Sequence, residues 1–404
     1  MLTSHKTLNL RNLKNSSQNK LLIWTWTSLH DPSGTPAILY NLIKALCEYT
    51  FYYFHGQKYS RTKHEPENLK VSKRINILEG IDYSYRPALQ LLIDFTFRIP
   101  LLTLACVHYN LKFRNAAIFT IFYDRCWVLS AYLSSKILRK KLIVYCHDPF
   151  SEKYLNSKGS IWRASLKIER LVLSDKNTTV FCLNEGMKRL YEKYTEATVL
   201  PHIAEFAKSV SEEIQETHND KFTIGFAGSI YSNNDECIEA LLTEVKQLGN
   251  IRVKFYGNYS EDLKKRLTDM FPVEFDFKKN YDELIQALQS CDLLYLPLNF
   301  KASPDMPREC LQYVLPTKSI DFLITGKKIL IHCPADYELS RFFKKWDCGY
   351  VLNSIEVGSL GKCITNIINN TLPFDLSHTH IALKQFQKEN IHSIFIKHLQ
   401  NENK

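Results

Sequence analysis

The sequence predicts an α/β chain made of two doubly wound, parallel-sheet domains. Three observations predict it. Apolar segments rich in β-branched and aromatic residues alternate with segments of helical period along nearly the whole chain. The alternation stops once, at an acidic stretch, and then restarts. The length of 404 residues exceeds what one ordinary hydrophobic core fills.

In chain order, residues 1–20 are polar and basic (Lys6, Arg11, Lys14, Lys20) and read as an extension. They hold no apolar run of signal-peptide length, so the expected compartment is the cytoplasm. The first domain is expected over 21–204. Its strands are Leu21–Thr27, Ala117–Tyr123, Lys141–Cys146, Thr178–Leu183 and Thr198–Leu200, and a helix over Pro36–Cys47 buries Ile38, Leu39, Leu42, Ile43 and Leu46. Strand–helix alternation of this kind implies a parallel sheet covered on both faces. Residues 205–220, with Glu212, Glu213, Glu216 and Asp220, form the expected linker. The second domain, 221–374, has strands at Phe222–Ala227, Ile251–Tyr256, Val273–Asp276, Leu293–Pro297, Lys328–His332 and Gly349–Leu352. Helices fill its intervals near Glu236–Leu248, Glu261–Met270, Tyr281–Gln289, Thr317–Thr325 and Tyr337–Lys345. Residues 375–404 read as a terminal helical segment.

Leu89–Leu111 is mostly apolar but is interrupted by Asp94, Arg98, Pro100 and His108. A spanning helix needs about 20 nearly uncharged apolar residues, so a transmembrane reading is set aside. Two readings stay open: a buried helix pair, or an amphipathic surface that leans on a membrane, flanked by Arg86, Arg98, Lys112 and Arg114.

Charge is uneven. Residues 1–200 hold 29 Lys+Arg against 15 Asp+Glu, and the remainder 23 against 27. The basic half suits an anionic membrane or a phosphorylated substrate, or is simply a solvated face. Its cations are dispersed and no nucleic-acid-binding module is visible, so nucleic acid is not an expected partner. The eleven cysteines are scattered without a CxxC pair, which predicts buried thiols rather than disulfides or a zinc site. No Walker A loop, GxSxG elbow or HExxH is present, and no metal or cofactor is expected.

Four stretches carry candidate chemistry. In Leu315–Leu330, Pro316 and Thr317 start a helix whose free amides and Lys318 suit a phosphate. Asp321 lies one turn on, where a carboxylate accepts from ribose hydroxyls, and Gly326 ends the helix. A capped crossover helix without a ligand reads the same way. In Ile224–Ser229, a strand runs into Gly228 and Ser229, which permits close approach to the backbone or marks a tight turn. In Val144–Pro149, His147 stands at a strand end beside Asp148, as an acid–base pair or as a structural joint. In the stretch 30–36, Gly34 precedes the first helix, where a phosphate, an acceptor or a plain strand–turn–helix joint fits.

Taken in order, these pieces resemble GT-B glycosyltransferases, and within them glycosyltransferase family 4 of the type that builds bacterial surface polysaccharides. The most specific part is Asp292-Leu293-Leu294-Tyr295-Leu296-Pro297 followed by Pro316-Thr317-Lys318-Ser319-Ile320-Asp321-Phe322-Leu323 and Gly326-Lys327-Lys328-Ile329-Leu330. Tyr281-Asp282-Glu283-Leu284 and Cys348-Gly349-Tyr350-Val351 also fit. The resemblance implies two facing Rossmann-like domains with a cleft between them and a C-terminal helix crossing back. It implies a nucleotide-diphosphate sugar as donor and a glycan or lipid-linked acceptor. Sugar transfer would occur with retention and without a metal, at an anionic inner-membrane surface. Gly228 and Ser229 would lie near sugar and phosphate, Thr317 and Lys318 on the diphosphate, and Asp321 on the ribose. His147 would reach the sugar, and Gly34 would line the cleft.

Two departures are visible. Family members carry a pair of glutamates spaced as positions 313 and 321 are here, but position 313 is Tyr313; Asp305 and Glu309 are nearby carboxylates. They also place an Arg and a Lys after the first strand of the second domain, where this chain has Ser229-Ile230-Tyr231-Ser232-Asn233-Asn234, which leaves Lys318, Arg308 and Lys301 as candidate cations. A catalytically impaired partner subunit and a sugar-nucleotide epimerase are the alternatives.

Overall fold

A computed structural model describes residues 20–31, 34–58, 65–77, 86–157, 159–204, 221–303 and 306–400. The expected extension up to residue 19, the expected linker at 205–220 and Asp305 lie outside them. By its internal contacts the chain divides into two compact units, Met1–His147 with Gly159–Phe181, and Asp148–Lys158 with Cys182–Lys404.

The first sheet has seven strands: β1 (Lys20–Thr25), β2 (Thr50–His55), β3 (Leu69–Arg74), β4 (Ala117–Ile121), β5 (Lys141–Cys146), β6 (Thr178–Cys182) and β7 (Thr198–Val199). Their order is β3-β2-β1-β4-β5-β6-β7. The second has six: β8 (Phe222–Ala227), β9 (Ile251–Tyr256), β10 (Val273–Asp276), β11 (Leu293–Pro297), β12 (Lys328–His332) and β13 (Tyr350–Leu352), in the order β10-β9-β8-β11-β12-β13. The strands pair parallel. In each sheet the order reverses between the first strand and a later neighbour, at β1/β4 and at β8/β11. Loops leaving the carboxyl ends of those strands are where such sheets bind ligands.

The expected strands are all present, five of them with unchanged bounds in the second sheet. β2 and β3 are additional. Thr-Phe-Tyr-Tyr-Phe-His has no alternation for a period-two reading, and edge strand β3 mixes Lys and Arg with its apolar positions. The central strands are buried on both faces: Leu22, Ile143, Leu293 and Ile329 are inaccessible or nearly so. Burying each such side chain contributes about 1.5–3 kcal/mol. In the first core Trp24 packs 4.8 Å from Trp127 and donates its indole N–H to Ser130 Oγ at 3.0 Å. Asp124 caps the helix Arg125–Leu138 by accepting from Cys126 N and Trp127 N at 2.9 and 3.1 Å.

The segment 89–111 belongs to a continuous helical run, Pro87–Phe113, with a π-helical turn at Asp94–Arg98. By length and composition alone this run is apolar enough to cross a membrane. Its geometry holds it along the first unit instead. Ile99, Leu102, Thr103, Cys106 and Asn110 form a buried face, and Asp94 is buried between two guanidinium groups. Arg125 donates Nη2 and Nε to Asp94 Oδ2 at 2.6 and 3.1 Å, and Arg98 donates Nη1 to Oδ1 at 3.0 Å.

The terminal segment is not one helix. Leu376–Leu383 and Lys388–Gln400 are separated by a 3-10 turn, Lys384–Phe386. The turn drives Phe386 into the core of the second unit, where its carbonyl accepts from Ala204 N at 3.1 Å.

Candidate functional site

The β8/β11 switch point gathers four of the residues singled out above. β8 ends at Ala227, and Gly228 follows with φ +106°, a conformation that favours glycine. Gly228 and Ser229 are both exposed. The adjoining turn is braced from within, because Asn234 donates to Ser229 O and accepts from Tyr231 N, each at 3.1 Å. Opposite stands Lys318, the first residue of the helix Lys318–Ile324. A Cβ built on Gly228 would lie 3.8 Å from Lys318 Nζ, and the ammonium rides 4.4 Å from the Phe226 ring centroid. Thr317 precedes it with helical backbone, and Pro316 O already accepts from Ser319 N at 2.9 Å. Gly326, at φ +68°, ends the helix as expected.

Lys318 is half-buried, and among the described residues no carboxylate lies against it. Burial lowers its pKa to about 8. The other two candidate cations are already neutralised: Arg308 donates to both Asp336 oxygens at 3.0 Å, and Lys301 pairs with Glu236 at 3.3 Å. Lys318 is therefore the candidate cation not matched by a carboxylate, as an anion site requires.

One turn beyond, Asp321 accepts from the Tyr281 hydroxyl at 2.8 Å. Burial raises its carboxyl pKa to about 6, with the tyrosine hydrogen bond acting in the opposite direction. Glu309 lies exposed on the short helix Arg308–Leu311. Its charge helps hold the Glu152 carboxyl above the usual range, though burial of Glu152 is the larger cause. The backbone carbonyl of Tyr313 packs against Gly186: a Cβ on that glycine would meet Tyr313 O at 2.6 Å.

Three contributors were not singled out from the sequence. Gly257 follows β9 as Gly228 follows β8, and a Cβ on it would come within 3.0 Å of Gly228 O. Tyr259 donates its hydroxyl to that same carbonyl. Glu152 is the third. The repeated strand-then-glycine pattern, Phe-Ala-Gly and Phe-Tyr-Gly, was the available signal for the first.

Two further candidates meet in the first unit at its own switch point. Gly34 opens the helix Gly34–Ala45 after β1, and His147 directly follows β5. His147 is 3 % exposed, its Nδ1 lies 3.3 Å from Thr35 Oγ1, and its ring packs edge-on 4.2 Å from Tyr145. Asp148 falls in the second unit and is exposed.

A valine at position 228 would take up a positive φ that costs about 1–3 kcal/mol. Its Cβ would stand 3.8 Å from the Lys318 ammonium, in van der Waals contact with it. Gly228→Val is expected to lower the unfolding midpoint and weaken nucleotide binding together, measured by thermal unfolding with and without nucleotide.

No family model matches the chain, and no curated protein sequence does. Solved structures do. Anabaena HepE in complex with UDP aligns over 95 % of this chain and 100 % of its own, with TM-score 0.65 and 14 % identity. The lipopolysaccharide outer core galactosyltransferase WaaB aligns over 95 % and 99 %, with TM-score 0.63 and 10 % identity. Sucrose-phosphate synthase from Thermosynechococcus elongatus aligns over 94 % and 95 %, with TM-score 0.61 and 14 % identity. These neighbours are GT-B proteins, and with two parallel-sheet, Rossmann-like units the chain has the GT-B fold.

Proposed function

We propose that the chain is a glycosyltransferase that takes a sugar from a nucleoside-diphosphate donor. The observation that carries this reading is Lys318, a half-buried ammonium without a carboxylate partner among the described residues, set against the glycine at the end of β8. A diphosphate supplies the missing charge, and a charge-assisted contact in a partly dry site is stronger than one in water. Thr317 and the exposed Gly228 and Ser229 border that anion, and Asp321, positioned by Tyr281, accepts from the ribose hydroxyls. That solved neighbours include a UDP complex supports the donor class.

In the same reading the transfer retains anomeric configuration, in the manner of family 4. His147 hydrogen-bonds the donor sugar, Asp148 and Glu309 contribute carboxylates, and Gly34 borders the acceptor. The acceptor is a glycan or a lipid-linked glycan in surface polysaccharide synthesis, met at the cytoplasmic face of an anionic membrane. The test is turnover of candidate sugar nucleotides followed by proton NMR of the new linkage. An anomeric configuration equal to the donor's supports the reading, and an inverted one overturns the retaining assignment. Release of nucleotide with an epimerised free sugar would favour an epimerase.

The two shifted groups set the pH dependence of donor binding. Lys318 loses its proton as pH rises through about 8, and Asp321 gains one as pH falls through about 6. Diphosphate binding needs the first protonated and ribose binding needs the second ionised. Affinity is therefore expected to be highest between about pH 6 and 8. It should fall up to about tenfold per pH unit beyond either limit, as calorimetric titrations in matched buffers would show. Lys318→Arg, charged throughout, is expected to lose the alkaline limb.

A further inference from the structure

We propose that the helix Pro87–Phe113 and the cationic edge of the helix Ser160–Leu173 form a surface by which this chain docks on an anionic lipid bilayer, lying in the headgroup plane rather than crossing it. The proposal deepens the membrane part of the reading above and rests on it only for which face of the membrane is met.

The helical run has two faces. Opposite its buried side, Phe97, Leu101, Leu104, His108 and Leu111 recur at spacings of four and three and are exposed, Leu104 by 65 % and Leu111 by 62 %. A row of four exposed large apolar side chains, broken only by His108, is uncommon on a surface that meets only water. Beside it, Phe95 and Leu171 border a groove of about 540 Å³ that Arg163 and Lys167 also line.

Charge selects the occupant. Among the described residues of the helices Pro87–Phe113, Arg125–Leu138 and Ser160–Leu173, the carboxylates are Asp94 and Glu169, and both are buried. The charges these helices expose are cations: Lys112, Lys136, Arg163, Lys167 and Arg170. Lys136 is tied to Asp175; Arg163 and Lys167 line the groove, Arg170 is exposed on the same helix as they are, and Lys112 follows Leu111 at the end of the stripe. Hydrocarbon satisfies the stripe and lipid phosphate satisfies the cations, which is the pairing an interfacial helix makes. A second copy is a poor occupant. A two-fold contact sets a patch against itself, so these cations would face one another with no exposed carboxylate on the helices to separate them. Spanning is excluded by the Asp94–Arg125–Arg98 cluster, which would have to be pulled apart to release the helix from the domain.

The test is flotation of the full chain with phosphatidylcholine vesicles and with vesicles containing about one third phosphatidylglycerol. Binding is expected to the anionic vesicles only, and to weaken with salt. The double variant Leu101→Ser/Leu104→Ser should bind at least about tenfold more weakly. The triple variant Arg163→Gln/Lys167→Gln/Arg170→Gln should lose roughly a hundredfold and with it the preference for anionic lipid. Leu104→Trp should be quenched by lipids brominated along the acyl chain. All substituted residues are exposed, so unfolding midpoints near the parent's are expected; if the serine variant fails to fold, the glutamine variant decides. Failure to float with anionic vesicles, or equal binding by parent and variants, overturns the proposal. So does a concentration-dependent dimer, seen by light scattering, that the serine substitutions abolish. No nucleotide takes part in these measurements. A chain that floats but binds no nucleotide contradicts the donor site alone, and one that binds nucleotide but does not float contradicts the docking surface alone.

Discussion

Replacing Asp94 by alanine is expected to lower the unfolding free energy by about 3–5 kcal/mol, the usual cost of breaking a buried ion pair from one side. Asp94 is 1 % exposed and accepts from Arg125 through two nitrogens and from Arg98 through one. Without it, two guanidinium groups are left in a desolvated pocket without a hydrogen-bonded counter-charge, and the nearby Asp124 carboxylate is already engaged in capping the helix Arg125–Leu138. A guanidinium keeps its proton at any pH a protein meets, so neither arginine escapes by deprotonation. The loss is read by urea unfolding of the parent, Asp94→Ala and Asp94→Asn. The asparagine variant keeps the volume and removes the charge, so it should lose nearly as much. A midpoint unchanged in both would show that the cluster contributes nothing to holding the helix against the domain.

Lys318→Ala is expected to weaken nucleoside-diphosphate binding by at least about tenfold, and up to roughly a hundredfold, which is the range of one charge-assisted hydrogen bond. The fold should survive, because Lys318 makes no ion pair among the described residues and its ammonium is held down by burial. Asp321→Asn should lose less, since the amide retains an acceptor oxygen beside Tyr281. The comparison separates charge from shape: if the lysine is needed for its charge, Lys318→Met, equal in length, should be as weak as Lys318→Ala.

The architecture was largely legible because each doubly buried strand is a short apolar run bounded by polar residues. Leu293–Pro297 and Lys328–His332 can hardly be read otherwise. β2 and β3 were less visible, since an unbroken aromatic run and an edge strand carrying Lys and Arg both lack the period-two signal. In the second unit the candidate site rests on local patterns that a sequence displays: a glycine after a strand, and a Pro-Thr-Lys helix start. What the sequence could not show was pairing at a distance. Asp94 read as an interruption of an apolar run, because its partner Arg125 is 31 residues away and joins it only through the packing of two helices. Arg308 and Lys301 read as candidate phosphate ligands because Asp336 and Glu236 come to them through the fold. Tyr259 was hidden for the same reason, as it acts on the Gly228 carbonyl, whereas Gly257 carried the same strand-then-glycine signal as Gly228. The terminal segment read as one helix, but a 3-10 turn at Lys384–Phe386 and extended backbone at Gln387 interrupt it.

The most direct test of the donor site is calorimetric titration of the unsubstituted chain with UDP, GDP, CDP and ADP at pH 7, repeated with Lys318→Ala. One nucleoside diphosphate should bind the parent, and binding only to the folded state should raise its thermal midpoint in proportion. The same ligand should bind the variant at least about tenfold more weakly. Absence of binding by all four, or equal binding by parent and variant, would contradict the assignment of Lys318 to a diphosphate and with it the proposed activity.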